Sequence, residues 1–286
     1  MSCKTFSMPA GGERTASVEC PICFGSAHRP HWRTEGFAFV RCSGCGHVYQ
    51  NPQPVFADLE RRYQDDYFTY ERTNEEAFFK LMLLGLADIG FEGIEAGLPA
   101  GKAFLDIGCA TGKLLAHMKS RGWAVQGVEI SRPAAEFGMR ERQLPIFIGP
   151  VERAPLVRGS FSFVHFSHVI EHVPDPRGFL TRIRSLLARE GHLVVVTPNI
   201  EGLQARLLRS AWRSAIADHL HLFKAANLDR LLRECGFIPL DWVTWGGLAK
   251  GLAPEPIKRP LDRLAKRFGF GDVMLCHARP DPAAGP

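Results

Sequence analysis

A regular alternation of apolar and amphipathic segments begins at Ala103 and constrains the fold more than any other feature of the chain. Segments such as 103–108 (AFLDIG) and 192–199 (HLVVVTPN) have the length and the apolar content of buried strands. Between such segments, Lys113–Arg121 and Pro176–Ala188 repeat apolar residues with the period of a helix. Strands joined by helical crossovers run parallel, and the helices cover both faces of the sheet. The sequence therefore predicts an α/β fold.

The length and the charge of the chain limit the classes of function. Its 286 residues suffice for one large domain with a small appendage, and the formal net charge of +5 is too small to indicate a nucleic-acid-binding protein. The longest apolar run, Leu81–Ala87, is far shorter than the roughly 20 residues of a membrane span, and the N-terminus lacks the apolar core of a signal peptide. We expect a soluble cytoplasmic protein.

Four of the eight cysteines form two C-x-x-C pairs near the N-terminus, Cys20 with Cys23 and Cys42 with Cys45. Eighteen residues separate the pairs, a spacing typical of a tetrahedral zinc site built from two turns. Four thiolates leave no open position for a catalytic water, so the metal would be structural. A redox pair is the alternative, but neither pair has the strand-to-helix context of a redox motif. We predict structural Zn²⁺ in a zinc-ribbon-like module.

A glycine-containing turn follows the first apolar segment, at Phe104–Lys113 (FLDIGCATGK). A strand that leads through such a turn into a helix brings backbone N–H groups toward a polar or anionic ligand. Ala110 replaces the second glycine of a dinucleotide fingerprint, and the P-loop pattern is absent as well. Glu129 ends the next strand, twenty-three residues after Asp106, where its carboxylate can accept hydrogen bonds from ribose hydroxyls. We expect a ribose-containing ligand across the strand ends.

Six motifs between residues 100 and 245 resemble, in the same order, those of the class I S-adenosylmethionine-dependent methyltransferases. The matching segments are LDIGCATGKLL, GVEIS, GPVERAPL, GSFSFVHFSHVIEHVPDP, AREGHLVVVTPN and DHLHLFKAANLDRLLRECGF. The resemblance implies a Rossmann-like, seven-stranded and mostly parallel sheet with helices on both faces. It also implies S-adenosylmethionine as the cofactor and methyl transfer as the activity.

The resemblance further implies which residues bind the cofactor: Asp106, Gly108, Cys109, Gly112, Glu129, Ile130, Val151, Glu152, Ser167 and His168. Asp106 and the two glycines correspond to the methionyl end of the cofactor. Glu129 corresponds to the ribose, Ile130 and Val151 to the two sides of the adenine, and Glu152 to its exocyclic amine.

Histidines supply the candidates for a catalytic base. A sulfonium methyl group is already activated, so the protein must chiefly place a nucleophile in line with the S–CH3 bond. If the acceptor is a hydroxyl or an enolisable carbon, a histidine within hydrogen-bond reach increases the rate further. The candidates, in order of preference, are His172, His219, His168 and His221, because they emerge at the carboxyl ends of strands. A structural role is the alternative for each of them.

The segment His168–His172 (HVIEH) also matches the inverted zinc-peptidase pattern H-x-x-E-H. That pattern needs a regular helix that carries both histidines on one face. Here His168 closes a predicted strand, and Pro174 and Pro176 leave room for at most about one turn of helix. We therefore reject the peptidase interpretation and assign Ser167 and His168 to the floor of the cofactor pocket.

The motifs, together with the Pro- and Gly-containing turn segments between them, predict five parts of the chain. They are a disordered N-terminus at 1–17, a zinc-ribbon-like module at 18–50, a helical linker or lid at 51–98, a methyltransferase domain at 99–279, and a disordered tail at 280–286. Tyr67, Phe68 and Trp212 are candidates for a lid over the substrate, and ordinary core packing is the alternative for all three.

The leading functional hypothesis is a methyltransferase for a small molecule, such as a sugar, a lipid-linked compound or a secondary metabolite. An RNA methyltransferase that grips its substrate with the basic zinc module is the first alternative, although the N-P-P-Y motif of amino-directed nucleic-acid enzymes is absent. A non-catalytic binding protein is the second, because Pro150 and Ser162 stand where the family often has acidic residues. The sequence leaves the acceptor and the oligomeric state open.

Overall fold

The computed structural model describes residues 13–34, 36–59, 62, 65–247 and 255–284. The N-terminal part contains the short strands β1 Thr15–Ala16, β2 His28–Thr34, β3 Phe37–Cys42, β4 Val48–Gln50 and β5 Gln53–Pro54. The helices α1 Phe56–Leu59, α2 Asp65–Asp88 and α3 Phe91–Gly97 follow. Of the N-terminus predicted to be disordered, residues 1–12 lie outside the described part, whereas Thr15 and Ala16 pair with β5.

The rest of the chain alternates strands and helices as the sequence predicts. Its strands are β6 Ala103–Ile107, β7 Ala124–Glu129, β8 Ile146–Ile148, β9 Phe161–Ser167, β10 Leu187–Pro198, β11 His221–Leu222, β12 Phe237–Trp245 and β13 Val273–Pro280. Its helices are α4 Lys113–Ser120, α5 Arg132–Arg142, α6 Pro176–Leu186, α7 Leu203–Leu208, α8 Ala225–Glu234 and α9 Glu255–Phe268.

Seven of these strands form the main sheet, in the order β12-β13-β10-β9-β6-β7-β8. The five strands from β10 to β8 in this order run parallel. Beside β10, β13 runs antiparallel to them, and the edge strand β12, which is antiparallel to β13, runs in the same direction as the five. The prediction of a seven-stranded, mostly parallel sheet is therefore confirmed. Because the strands are parallel, Ile107, Glu129, Ser167 and Pro198 end at one edge, which we call the carboxyl edge.

Successive residues of a strand point to opposite sides, so the main sheet has two apolar faces, and helices cover both of them. Phe104 packs with Leu115 of α4, with Leu86 of α2 and with Phe91 of α3, and all four are buried. Leu105 belongs to the opposite core, where α6 and α8 bury their apolar stripes. The two-sided covering predicted from the alternating pattern is confirmed.

A second sheet joins the cysteine-rich segment to the main domain. Its strands have the order β2-β3-β4-β11, so the fourth strand comes from a part of the chain that follows the main parallel strands. Ile22 and Tyr49 are fully buried in the same core as α6 and α8. The segment predicted as a separate module at 18–50 thus shares both a sheet and a core with the main domain.

The C-terminal strand extends into the segment predicted to be disordered. Pro280 is the last residue of β13, and the backbone N–H of Asp281 donates to the carbonyl of Gly236 at 2.8 Å. Residues 285–286 lie outside the described part of the chain.

None of the helices in the described ranges combines the length and the apolar character that a membrane crossing requires.

Candidate functional site

The glycine turn between β6 and α4 has the backbone geometry that its sequence predicts. Gly108 and Gly112 have φ angles of 68° and 76°, in the left-handed region that favours glycine. A Cβ atom at Gly108 would lie 2.5 Å from Cγ2 of Val169, and one at Gly112 would overlap Leu144. Close packing therefore excludes side chains from both positions, and the turn presents backbone groups at the carboxyl edge.

Glu129 lies at the end of β7, directly beside this turn. Its carboxylate is buried and accepts hydrogen bonds from the backbone N–H of Ala110 at 2.8 Å and from that of Ser131 at 2.7 Å. Burial raises the pKa of Glu129 to about 7, the backbone N–H groups oppose that rise, and the charge of Asp106 adds to it. The structure thus brings together the turn and the carboxylate predicted to bind a ribose.

A surface pocket of about 330 Å³ adjoins Glu129. It is lined by Ile130, Arg132, Phe147, Ile148, Gly149, Pro150 and Arg153. Of the three residues predicted to contact the adenine, Ile130 lines this pocket, whereas Val151 is buried in the core and Glu152 is exposed outside the lining. The motif GPVERAPL identified the segment beside the pocket, but it did not specify which of its side chains point toward the pocket. The sequence analysis did not select Phe147 as a site residue. An aromatic residue in IFIG, at the end of a predicted strand, could have indicated it.

The side chains of Asp106 and Cys109 lie inside the protein. Asp106 is buried, and Nδ1 of His165 lies 2.8 Å from its Oδ1 across the β6–β9 pair. Burial raises the pKa of the Cys109 thiol well above its usual range, which keeps the thiol neutral. Cys109 can therefore face a cofactor only with its backbone. His165 was missed, because its pairing with Asp106 depends on strand register.

Helix α2 lies over the glycine turn and supplies two acidic residues that the sequence did not indicate. Glu75 accepts from the hydroxyl of Thr111 and, at 2.8 Å, from Nη2 of Arg142, which also donates through Nη1 to the Thr111 carbonyl at 2.6 Å. Glu71 lies one turn earlier on α2. Burial, followed by the charges of Glu129 and Glu75, raises its pKa to about 8. The helix therefore forms a wall of the cofactor region.

The three aromatic candidates for a lid have different surroundings. Trp212 is fully buried, and its Nε1 donates to Oδ1 of Asp272 at 2.5 Å, so it is a core residue and the lid hypothesis is wrong for it. Phe68 packs against Phe137 of α5, with 5.9 Å between ring centroids. Tyr67 is half-buried on α2. Only the α2 residues lie on the element that covers the turn.

His172 and His219, the two preferred base candidates, are brought together at the carboxyl edge. Their rings meet edge to face, with centroids 4.7 Å apart. Nδ1 of His172 lies 2.8 Å from the Asp218 carbonyl, and Nδ1 of His219 lies 2.8 Å from the Ser214 carbonyl. Because a carbonyl can only accept, each Nδ1 carries the proton, and each Nε2 is the basic nitrogen of its ring. Burial, followed by the charge of His172, lowers the pKa of His219 to about 3.

A buried carboxylate completes this cluster. Oε2 of Glu171 accepts from the Thr197 hydroxyl at 2.9 Å, and Oε1 lies 3.1 Å from Nδ1 of His168. Burial favours a raised pKa, but the contact with His168 and the charges of the neighbouring histidines outweigh it and lower the pKa of Glu171 to about 2. Donor atoms of Glu171, His172 and His219 lie within 4.8 Å of one another. This donor set is also able to hold a divalent cation.

The peptidase pattern lacks its scaffold. Ile170–His172 form a single 3-10 turn, and His168 has a φ angle of 55°, which no regular helix allows. The side chain of His168 is half-exposed, and its backbone N–H donates to Val196 beside Ser167, the last residue of β9. The metal-type cluster thus combines Glu171 and His172 with His219, whereas the peptidase pattern would have used His168.

The four predicted zinc ligands converge. The Sγ atoms of Cys20 and Cys45 are 3.5 Å apart, as are those of Cys23 and Cys42, and all four Sγ atoms lie within 4.8 Å of one another. Tetrahedral zinc with Zn–S bonds of about 2.3 Å implies S–S distances of about 3.8 Å, so the donor set fits the ion closely. Gly25 and Gly44 flank the sulfurs, where a Cβ at Gly25 would already lie 3.4 Å from Sγ of Cys23.

The cysteine module reaches the histidine cluster through β11. The backbone N–H of Gln50 in β4 donates to the Leu220 carbonyl at 2.8 Å, and the N–H of Leu220 donates to the Glu171 carbonyl at 2.8 Å. Nε2 of His47 lies 3.5 Å from Nδ1 of His221, and Nε2 of His221 contacts the Val173 carbonyl at 3.0 Å. Both nitrogens of His221 are therefore engaged, which removes this residue as a base.

Comparison with known proteins places the chain among methyltransferases. Residues 81–240, more than half of the chain, match the family described as a methyltransferase domain. A ubiquinone biosynthesis O-methyltransferase from Marinobacter nauticus is 32% identical over 108 residues, which are 35% of this chain and 45% of that protein. The mitochondrial protein of the same name from Schizosaccharomyces pombe is 31% identical over 179 residues, which are 56% of this chain and 61% of that protein. The chain spans about half the length of the curated relatives it matches.

Solved structures resemble the chain in fold. An S-adenosylmethionine-dependent methyltransferase from Thermotoga maritima has a TM-score of 0.54 and 22% identity, and the match covers 74% of this chain and 97% of that one. An S-adenosylmethionine-dependent methyltransferase from Archaeoglobus fulgidus has a TM-score of 0.52 and 19% identity. That match covers 75% of this chain and 100% of the other. At these identities the likeness concerns the fold alone.

Proposed function

Because the chain belongs to the family of class I S-adenosylmethionine-dependent methyltransferases, we propose that it transfers a methyl group from that cofactor to a hydroxyl of a small phenolic acceptor. One observation carries the proposal. Glu129 beside the glycine turn and the His172–His219 pair lie at the same carboxyl edge of the sheet. The phenolic class is supported by relatives that are ubiquinone biosynthesis O-methyltransferases.

In this proposal, the residues around Glu129 hold the cofactor. The carboxylate of Glu129 accepts hydrogen bonds from the ribose hydroxyls, and Ile130 and Phe147 of the adjoining pocket contact the adenine. The backbone of the turn at Gly108 and Gly112 faces the methionyl end. Glu71 adds a second, half-buried carboxyl group near Glu129, on the helix that covers the turn.

The His172–His219 pair acts on the acceptor. Nε2 of His172 accepts the proton of the phenolic hydroxyl, while the oxygen attacks the methyl carbon and the C–S bond breaks with its electron pair going to sulfur. The contact of Nδ1 with the Asp218 carbonyl holds the required tautomer, and the buried Glu171 carboxylate stabilises the imidazolium that forms. The products are the methyl ether and S-adenosylhomocysteine.

The four cysteines, in the same proposal, bind structural Zn²⁺. A closed set of four thiolates supports a structural ion, because no coordination position is left for water or substrate. The ion would hold together the two turns that carry the cysteines.

A labelling experiment tests the proposed acceptor. The purified protein is incubated with cofactor that carries a radiolabelled methyl group and, separately, with a panel of catechols and phenols or with an RNA fraction. Label in a phenolic product supports the proposal, whereas label in RNA alone contradicts it. Activity that disappears with a chelator and returns with a divalent cation would assign Glu171, His172 and His219 to a metal instead of a base.

A further inference from the structure

Helix α9 exposes an apolar and basic face to solvent. Pro260, Arg263, Leu264, Arg267 and Phe268 follow one another at the spacing of a single helix face, and all five are exposed. Leu264 and Phe268 have 48% and 59% of their surface exposed. The opposite side of the helix packs on the domain at Ala265, whose carbonyl accepts from the Thr244 hydroxyl at 3.1 Å. The apolar residues on the outer face therefore have no role in the core.

Residues of α7 and of the loop after α9 extend this face into a continuous surface. The guanidinium of Arg206 lies 4.9 Å from the ring centroid of Phe270, and the backbone N–H of Leu203 donates to the Phe270 carbonyl at 2.9 Å. Phe270 is 43% exposed and Leu207 is 64% exposed. We call this surface the α7–α9 patch, and it consists of Arg206, Leu207, Arg263, Leu264, Arg267, Phe268 and Phe270.

The charge of the patch indicates the chemistry of its partner. Among the described residues, no side chain forms an ion pair with Arg206, Arg263 or Arg267. The outer face of α9 carries no acidic residue, and the nearby Asp88 is paired with Lys266 at 2.7 Å. Arginines without acidic partners beside exposed Leu and Phe match a surface that offers phosphate groups above hydrocarbon.

The patch lies at the carboxyl edge of the main sheet. Phe270 lies three residues before Val273, the first residue of β13, which pairs with Pro198 at the end of β10. The side-chain amide of Asn199 donates to the Gly271 carbonyl at 3.0 Å and so connects the end of β10 to this loop. The patch is therefore at the same edge as Glu129 and His172.

We propose that the α7–α9 patch binds the surface of an anionic lipid bilayer. Leu207, Leu264, Phe268 and Phe270 enter the boundary between headgroups and acyl chains, and the arginines contact lipid phosphates. The attraction combines burial of exposed apolar side chains with a salt-dependent electrostatic contribution. The proposal concerns where the protein docks and does not depend on which acceptor it methylates.

Vesicle flotation with the full chain tests the proposal. The protein is mixed with vesicles of phosphatidylcholine alone or with phosphatidylglycerol added, at low and at high salt. We expect flotation with the anionic vesicles at low salt and little with the neutral ones. A Leu264→Ser/Phe268→Ser variant should lose flotation, and an Arg263→Ser/Arg267→Ser variant should bind about 30-fold more weakly, since each basic residue contributes about a fivefold factor near an anionic surface.

A matched control separates the patch from general surface effects. Val157 and Arg158 are an exposed apolar and basic pair outside the patch, so that Val157→Ser/Arg158→Ser should float like the unchanged protein. Binding of S-adenosylhomocysteine to every variant checks that the domain is folded. Absence of flotation with anionic vesicles, or equal flotation of the patch variants, overturns the proposal. So does a dimer of the unchanged protein that the patch variants abolish, because the patch would then be an interface between copies.

Discussion

The glycine turn and the cysteine module both depend on short sequence motifs, but they are held in place in different ways. The turn, Glu129 and the adjoining pocket are formed by consecutive strand-turn-helix units, and Glu129 is bonded to Ala110, only 19 residues away. The cysteine module completes its sheet with β11, and His47 meets His221 across 174 residues. The proposed cofactor side is thus formed by residues close in sequence, whereas the proposed acceptor side depends on a distant segment.

This difference predicts that the two sides can be damaged separately. Disorder of the cysteine module should displace β4, the strand that pairs with β11. Because Leu220 bonds to both Gln50 and Glu171, this displacement should also shift Glu171 and His219. Within the described ranges, no backbone hydrogen bond joins the glycine turn to the cysteine module. Each of the following predictions changes one of the two regions and compares the effect on that region with the effect on the other.

The broadest effect, on metal content and on activity together, is expected for Cys42→Ser. Removing one thiolate should abolish zinc binding, measured as metal content per chain, and lower kcat/KM about 100-fold, because small misplacements of catalytic groups cost about that much. Affinity for S-adenosylhomocysteine should stay within about twofold, since no ligand of the zinc lies near Glu129. The lone Cys235 provides the control, and Cys235→Ser should retain both metal and activity. Full activity of a zinc-free Cys42→Ser protein would contradict the prediction, because the cysteine module would then not support the catalytic residues.

A narrower effect, confined to the chemical step, is expected for His172→Gln. The amide cannot take up the proton, so kcat should fall about 10²- to 10⁴-fold on the acceptor found by labelling. Binding of S-adenosylhomocysteine should not change. His117, which is half-buried on α4, gives the matched control His117→Gln, with unchanged kcat expected. Equal kcat values for the two variants would exclude His172 as the base.

The smallest effect is a pH dependence on the cofactor side. The carboxylate form of Glu129 accepts from ribose hydroxyls, so protonation weakens binding. With a pKa of about 7, affinity for S-adenosylhomocysteine should be constant at higher pH and fall about tenfold per unit at lower pH. Asp106 is the charged neighbour that raises this pKa, so that Asp106→Asn should move the transition to lower pH. Calorimetry across this range is the measurement, and an unmoved transition contradicts the assignment.

The sequence was sufficient for the main sheet and for the residues that lie next to one another in it. Alternating apolar segments specify parallel strands, and parallel strands align their carboxyl ends, so Glu129 and the glycine turn could be predicted to meet. His172 and His219 could be predicted as candidates for the same reason. The cysteine spacing specified four converging thiolates because each pair lies within one tight turn.

What the sequence did not reveal depends on register and on distant packing. The contact between His165 and Asp106 exists because these residues face each other across two strands, and a shift by one residue would abolish it. Strand β11 has only two residues, too few for any periodicity. Helix α2 reaches the turn through Glu75 and Arg142, which are 67 residues apart. The exposure of Glu152 likewise follows from a turn whose side-chain directions the motif does not specify.

The most direct test of the account is calorimetric titration of S-adenosylhomocysteine into the full chain and into two variants. The account predicts binding of one molecule per chain. Glu129→Ala should weaken binding by about 100-fold or more, because charge-assisted hydrogen bonds are lost. Glu152→Ala, a change to an exposed glutamate in the adjacent segment, should leave binding unchanged. No binding by the unchanged protein, or equal binding by the Glu129→Ala variant, would contradict the proposed cofactor site.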